Sequence, residues 1–138
     1  MPTIRQYKDS TDRIQVVELW QKVFGYETAH NEPNLAISKK LATNDGLFFV
    51  AVENTEVVGT IMAGYDGHRG WLYSVAVDPK IRLNGLGSSL VQHAEKALAD
   101  LGCMKVNLQL LDTNEATAAF YKSIGYSVEP RLSMGKVL

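Results

Sequence analysis

Cysteine, net charge and long apolar runs are all scarce in this chain. One cysteine, Cys103, stands among 138 residues. No intrachain disulfide is therefore possible, and a reducing cytosol is the expected setting. Fourteen basic side chains face fifteen acidic ones, for a formal charge of −1. A nucleic-acid binder usually carries a basic face or a high pI, so no nucleic-acid partner is expected. The longest apolar run, Leu47 to Val52, is far below the roughly 20 residues a membrane helix needs. The opening Met-Pro-Thr-Ile-Arg-Gln-Tyr-Lys has no signal-peptide core, and no membrane partner is expected. No His/Cys/Asp spacing suggests a metal site. No repeat, low-complexity tract or linker is visible.

What is present is an ordinary globular composition, 46% hydrophobic and 21% charged. A chain of this length suits one domain, here residues 1–138, and buries about two thirds of its unfolded surface.

The pattern of residues predicts a short strand at 3–6 and a helix from Asp9 or Ser10 to Phe24. Ile14, Val17, Trp20, Val23 and Phe24 share a stripe of that helix. A weaker helix begins at Pro33, where proline suits a first turn. Residues 47–53 and 57–65 read as a hairpin, with turn signals at Asp66-Gly67 and Gly70 leading into a strand at 71–77. The clearest helix runs from Ser88 to Leu101, with Leu90, Val91, Ala94 and Leu98 at spacings of three and four. His93 within it is expected to be solvated. A strand at 105–111, a helix from Thr113 or Asn114 to Ile124, and strands at 127–130 and 132–137 follow. The antiparallel half leads into a parallel crossover, which is an α+β, mixed α/β domain.

Between the strand at 71–77 and the helix after it stands Arg82-Leu83-Asn84-Gly85-Leu86-Gly87. A helix start presents backbone N–H groups without internal partners, and the macrodipole adds about half a positive charge. Such an end seats phosphate groups. The glycines admit a ligand close to the backbone, and Arg82 is a cation able to fork onto phosphate oxygens. An ordinary glycine-bearing connection explains the hexapeptide alone equally well. A dinucleotide fingerprint fails, because the third glycine position is Leu90. A P-loop fails, because no Lys-Ser or Lys-Thr follows a glycine at the required spacing.

The remaining pattern is R-x-x-G-x-G. It comes with a second one, Asn114 followed by Phe120-Tyr121 and Gly125-Tyr126, which reads N-x-x-x-x-x-[FLA]-Y-x-x-x-G-[FY]. At this separation the pair resembles the two signatures of the GNAT N-acetyltransferases, and the order of elements is similar over nearly the whole chain. Leu83 departs from the glycine, and Asn84 from the basic residue, that many relatives carry.

The resemblance implies the GNAT fold, a central mixed sheet of about six to seven strands with about four helices. It implies acetyl-CoA as co-substrate, no metal, and direct acetyl transfer to a primary amine of a small molecule or peptide. Dimers are frequent among relatives. By the same resemblance Val75, Ala76 and Val77 pair with the pantetheine arm through their main chain. Arg82, Leu83, Asn84, Gly85, Leu86, Gly87 and Ser88 hold the pyrophosphate. Asn114 contacts the arm or merely caps its helix. Tyr121, on spacing alone a core aromatic beside Phe120, becomes the general acid for the leaving thiolate. A phenol near 10 and a thiol near 8.5 are closely matched for that transfer. A backbone N–H near Val75 or Ala76 is the implied oxyanion donor.

The acceptor side is less marked. Asp66 and His68 lie in Tyr-Asp-Gly-His-Arg-Gly, either as hairpin-turn residues or as substrate contacts. Tyr73 is a third candidate, positioned with Ser74 to order a water. Two other classes share the loop: a non-catalytic acyl-CoA-binding or regulatory module, and a nucleotide-binding protein.

Overall fold

The computed structural model describes residues 2–82 and 84–138. Leu83, expected in the phosphate loop, lies outside the described residues. The chain forms two compact units, residues 1–108 and 109–138.

The first unit is a five-stranded sheet with helices on both faces. Its strands are β1 (Thr3–Gln6), β2 (Phe48–Glu53), β3 (Glu56–Tyr65), β4 (Gly70–Val77) and β5 (Val106–Leu108), ordered β1-β2-β3-β4-β5. The first four are antiparallel neighbours, and β4 to β5 is parallel. Side chains alternate between the two faces of a strand. Phe48 and Met62 are directly paired and belong to one face, whereas Phe49 and Ile61 belong to the other. The first face is covered by α1 (Asp9–Phe24) and α2 (Pro33–Thr43). Val16, Leu19, Trp20 and Ile37 bury there against Phe48, Val50 and Met62. The second face receives α3 (Leu86–Asp100).

Composition and caps explain the helices. Glu32 accepts from the Asn34 and Leu35 N–H groups ahead of α2, and Pro33 fills its first turn. In α3 the apolar stripe Leu86, Leu90, Val91, Ala94 and Leu98 is buried. His93 is half-buried rather than freely solvated: its ring meets Phe49 edge-on at 4.6 Å, because it flanks the apolar stripe of α3. Ile14 leaves its expected stripe and is 74% exposed, since α1 turns Val16, Leu19 and Trp20 inward instead.

The second unit contains α4 (Glu115–Ser123), capped by Asn114 and followed by Gly125 at φ +103°. No strand forms at 127–130 or 132–137. Leu132 and Met134 are more than nine-tenths exposed there, so little apolar burial supports pairing, and Pro130 has no N–H to give a ladder. The fold class is thus α+β as expected, with five strands among the described residues rather than six to seven, and four α-helices.

Candidate active site

The geometry of β4 is irregular at its centre and open at one edge. Met62 pairs with Tyr73 and Thr60 with Ala76, so Ser74 and Val75 together oppose the single residue Ile61. This is a β-bulge, and Ser74 sits in it at φ +50°. On the other edge, the parallel pairing to β5 covers only Gly70, Trp71 and Leu72. From Tyr73 to Val77 that edge has no ladder partner among the described residues.

The open edge runs straight into a turn. Asp78 is 3% exposed. Its N–H donates to the Val58 carbonyl at 2.8 Å, and its carboxylate accepts from the Lys80 N–H at 3.1 Å and Lys22 Nζ at 3.3 Å. Burial pushes this carboxyl's pKa up, but the Lys80 amide and the Lys22 ammonium outweigh it and hold the pKa below the usual range. A short 3-10 turn, Pro79–Ile81, follows. Arg82 is exposed, and its Nε donates to the Val77 carbonyl at 3.2 Å, which keeps the guanidinium beside the strand end.

The helix then starts two residues earlier than its periodicity predicts, at Leu86. Gly85 is its N-cap and has no side-chain cap bond, while Asn84 Oδ1, one residue earlier, accepts from the Leu86 N–H at 3.2 Å, a contact the spacing does not show. Gly85 takes φ +87° with open space where a Cβ would stand. Its carbonyl accepts from the Ser89 N–H at 3.1 Å. Gly87 and Ser88 thereby fall in the first turn, and their N–H groups have no acceptor among the described residues. The Asn84 side chain is thus engaged locally, at the start of α3.

In the second unit, Asn114 Oδ1 accepts from the Thr117 N–H at 3.3 Å. Tyr121 is 6% exposed, edge-on to Phe120 at 5.0 Å and to Tyr126 at 5.6 Å. Its hydroxyl makes no hydrogen bond with the described residues. Burial pushes the phenol up to about 12, wider of a thiol near 8.5 than an unperturbed tyrosine would be.

Residues 13–126 match the sequence model of the acetyltransferase (GNAT) family. The chain belongs to the GNAT acetyltransferase family. Solved structures agree. A ribosomal-protein-S18-alanine N-acetyltransferase from Escherichia coli is 25% identical, with 91% of this chain and 77% of that chain covered and a TM-score of 0.72. Ard1 from Thermoplasma volcanium is 24% identical, with 93% and 84% covered and a TM-score of 0.80. An aminoglycoside antibiotic 6'-N-acetyltransferase from Acinetobacter haemolyticus is 17% identical, with 99% of each chain covered and a TM-score of 0.79.

This GNAT protein is an N-acetyltransferase, and its family uses acetyl-CoA as co-substrate. The residues present fit such a donor, because Gly85 leaves its backbone uncovered at the start of α3. No group of three or more His, Cys, Asp or Glu side chains able to hold a metal occurs among the described residues. Among the described residues no helix is long and apolar enough to cross a membrane.

The acceptor-side candidates of this acetyltransferase divide. Asp66 Oδ1 accepts from the His68 and Arg69 N–H groups at 2.8 and 2.7 Å, and its Oδ2 accepts from Trp71 Nε1 at 3.3 Å. Those backbone bonds hold its carboxyl below the usual range. His68 is exposed beside it. Both lie at the start of β4, whose eight residues at roughly 3.3 Å each span about 25 Å to the phosphate loop. Tyr73 is mid-strand and 41% exposed, on the α1/α2 face. Lys40 Nζ stands 5.3 Å from its ring centroid. That ammonium also pairs with Asp45 at 2.8 Å and donates to the Ala63 carbonyl. A cleft of about 190 Å³ lies between Tyr7, Lys40 and Phe48 and includes none of the candidate site residues.

Two contributors escape a reading of the sequence. Asp78 looks like a strand end before proline, yet it ties α1 to the turn. Ser74 carries the bulge, and serine gives no signal for a left-handed residue.

Proposed function

We propose that the chain transfers an acetyl group from acetyl-CoA to the primary amine of a small molecule or peptide, with both substrates bound together. The observation that carries this reading is the continuity of β4. A strand edge without a ladder partner among the described residues from Tyr73 to Val77 leads, through Asp78 and Arg82, to a helix start whose Gly87 and Ser88 amides have no acceptor among those residues. The open edge suits an amide-bearing arm added as a strand. The Gly87 and Ser88 N–H groups and Arg82 suit its pyrophosphate. Val75, Ala76 and Val77 act through their main chain, and Asn114 is a further contact besides capping α4.

When bound, acetyl-CoA supplies a thioester that a neutral amine can attack, with thiolate leaving. An N–H of Val75 or Ala76 holds the negative charge that grows on the carbonyl oxygen. Tyr121 delivers its proton to the leaving sulfur, the nitrogen sheds one proton to solvent as the amide forms, and the phenol is reprotonated from solvent. Its raised pKa keeps the phenol protonated and able to donate. Asp66 has both oxygens engaged in the hairpin, so we assign it and His68 to the shape of the acceptor side rather than to proton removal. Tyr73 is the aromatic wall for the acceptor.

The test is an amine panel with a free-thiol readout at saturating acetyl-CoA. Amine-dependent thiol release is expected. Tight acetyl-CoA binding without release for any amine class would make the chain a binding module and overturn the proposal.

A further inference from the structure

The left-handed residue of the β4 bulge carries a side chain. At φ +50° the Ser74 Cβ crowds its own backbone, a conformation glycine takes freely. Such a residue persists only where its surroundings over-determine it. Here they do so by hydrogen bonding. Thr60 Oγ1 donates to the Ser74 carbonyl at 2.9 Å, and Trp20 Nε1 donates to Thr60 Oγ1 at 2.8 Å. Thr60 is 0% exposed and Trp20 4%. A buried polar chain thus runs from α1, through β3, to the bulge.

Each link leaves one arrangement. An indole N–H only donates, so the Thr60 oxygen accepts, and the single hydroxyl proton goes to Ser74. In an apolar core an unmade link is heavily disfavoured. No peptide bond among the described residues is cis. In a planar trans peptide the carbonyl of one residue and the N–H of the next point in opposite directions. Drawing the Ser74 carbonyl toward Thr60 on β3 therefore turns the Val75 N–H to the other side, the edge left open after Leu72.

We infer that Trp20 and Thr60 are positioning residues for acetyl transfer. Their indole–hydroxyl relay holds Ser74 left-handed and aims the Val75 N–H at the carbonyl oxygen of the donor. The inference rests on the function proposed above. It also selects Val75 over Ala76 as the donor of that hydrogen bond. Neither Trp20 nor Thr60 touches the reacting atoms.

The experiment compares Thr60→Val, which keeps the shape and deletes the hydroxyl, with Thr60→Ser, which keeps the hydroxyl. Thr60→Val is expected to lower kcat by about tenfold or more, as loss of an aligned donor does. Its acetyl-CoA Kd by calorimetry should stay within about threefold of wild type, and Thr60→Ser should keep kcat within the same margin. A role in stability alone would not separate kcat from Kd in this way. Ser74→Gly in the Thr60→Val background should recover most of the lost kcat, because glycine needs no relay to hold this φ.

A second readout needs no turnover. In amide NMR spectra of the ligand-free protein, Thr60→Val should move Ser74 out of its left-handed shift range. On titration, acetyl-CoA should displace the wild-type Val75 signal more than CoA does, and Thr60→Val should abolish that difference. Wild-type kcat in Thr60→Val, or an unmoved Ser74, overturns the relay. If Thr60→Val does not fold, Trp20→Phe takes its place with a loss of about threefold expected, and wild-type kcat there overturns the relay equally. An inactive wild type would instead count against the proposed function, and the ligand-free Ser74 signals would still decide the relay.

Discussion

The two ends of β4 are built on opposite principles. At its start, Gly70 to Leu72 are laddered on both sides, and every acceptor of Asp66 is taken by the hairpin. Gly70 is pressed so closely by Leu98 and Cys103 that an added Cβ would lie 2.8 Å from each. Toward Val77 the strand loses its β5 neighbour, bulges, and ends beside a cation and the start of α3. One end is laddered on both sides, and the other has one edge without a ladder partner among the described residues. Hydrogen-bonding capacity left unused in otherwise ordered backbone is what marks the site, more than any single side chain.

The sharpest challenge to this contrast comes from outside the strand. Tyr121→Phe removes only the phenolic hydroxyl, which makes no hydrogen bond with the described residues. We expect kcat to fall by about a hundredfold, the scale of a lost general acid, with acetyl-CoA Kd within about threefold. Unchanged turnover would remove Tyr121 from the mechanism and leave the open end of β4 to act alone. The pH profile adds a signed test. A general acid at Tyr121 acts in its protonated form, and burial raises the phenol's pKa to about 12. Its protonation therefore survives to higher pH than that of an ordinary tyrosine, and kcat should show no alkaline fall from this group up to about pH 10. A descending limb centred below that value would contradict the raised pKa.

Next in size is Arg82→Ala at the open end. Loss of a charge-assisted contact to phosphate should raise the KM for acetyl-CoA by about ten- to thirtyfold. Because that contact is the same in ground and transition states, kcat should hold. Equal losses in both constants would place Arg82 nearer the reacting atoms than the fold suggests.

Much of this region was legible in the sequence because backbone requirements leave residue signatures. Gly85 stands where a left-handed residue precedes α3, Gly125 where one follows α4, and Asn114 where a cap is needed. The α3 stripe followed from periodicity alone. The bulge did not, because Tyr-Ser-Val-Ala-Val reads as an even strand and the force that bends it comes from Trp20, 54 positions before Ser74. Nor does the spacing around Asn84 reveal that its side chain accepts from the Leu86 N–H. The short β5 and the strandless end depended on pairing partners, which a one-dimensional pattern does not supply.

Asp78 links the open end to stability. Its folded pKa is depressed, so its contribution is present above the unfolded value near 3.9 and is lost as pH falls through the folded pKa. Wild type should lose stability to urea more steeply between pH 5 and pH 3 than Asp78→Asn, which has no carboxylate to protonate there. Parallel slopes for the two proteins would show that Asp78 is not a source of the acid sensitivity.

The smallest effect is expected at the closed end. Asp66→Asn keeps an acceptor for the His68 and Arg69 N–H groups and removes the charge. If Asp66 only shapes the hairpin, kcat and both KM values should stay within about twofold of wild type at neutral pH, while amide exchange at Arg69 quickens. A large rise in the amine KM, without a change for acetyl-CoA, would instead show that the carboxylate faces a cationic acceptor. That outcome would make the saturated end of β4 part of the substrate site, and the division of the strand into a structural end and a chemical end would fail.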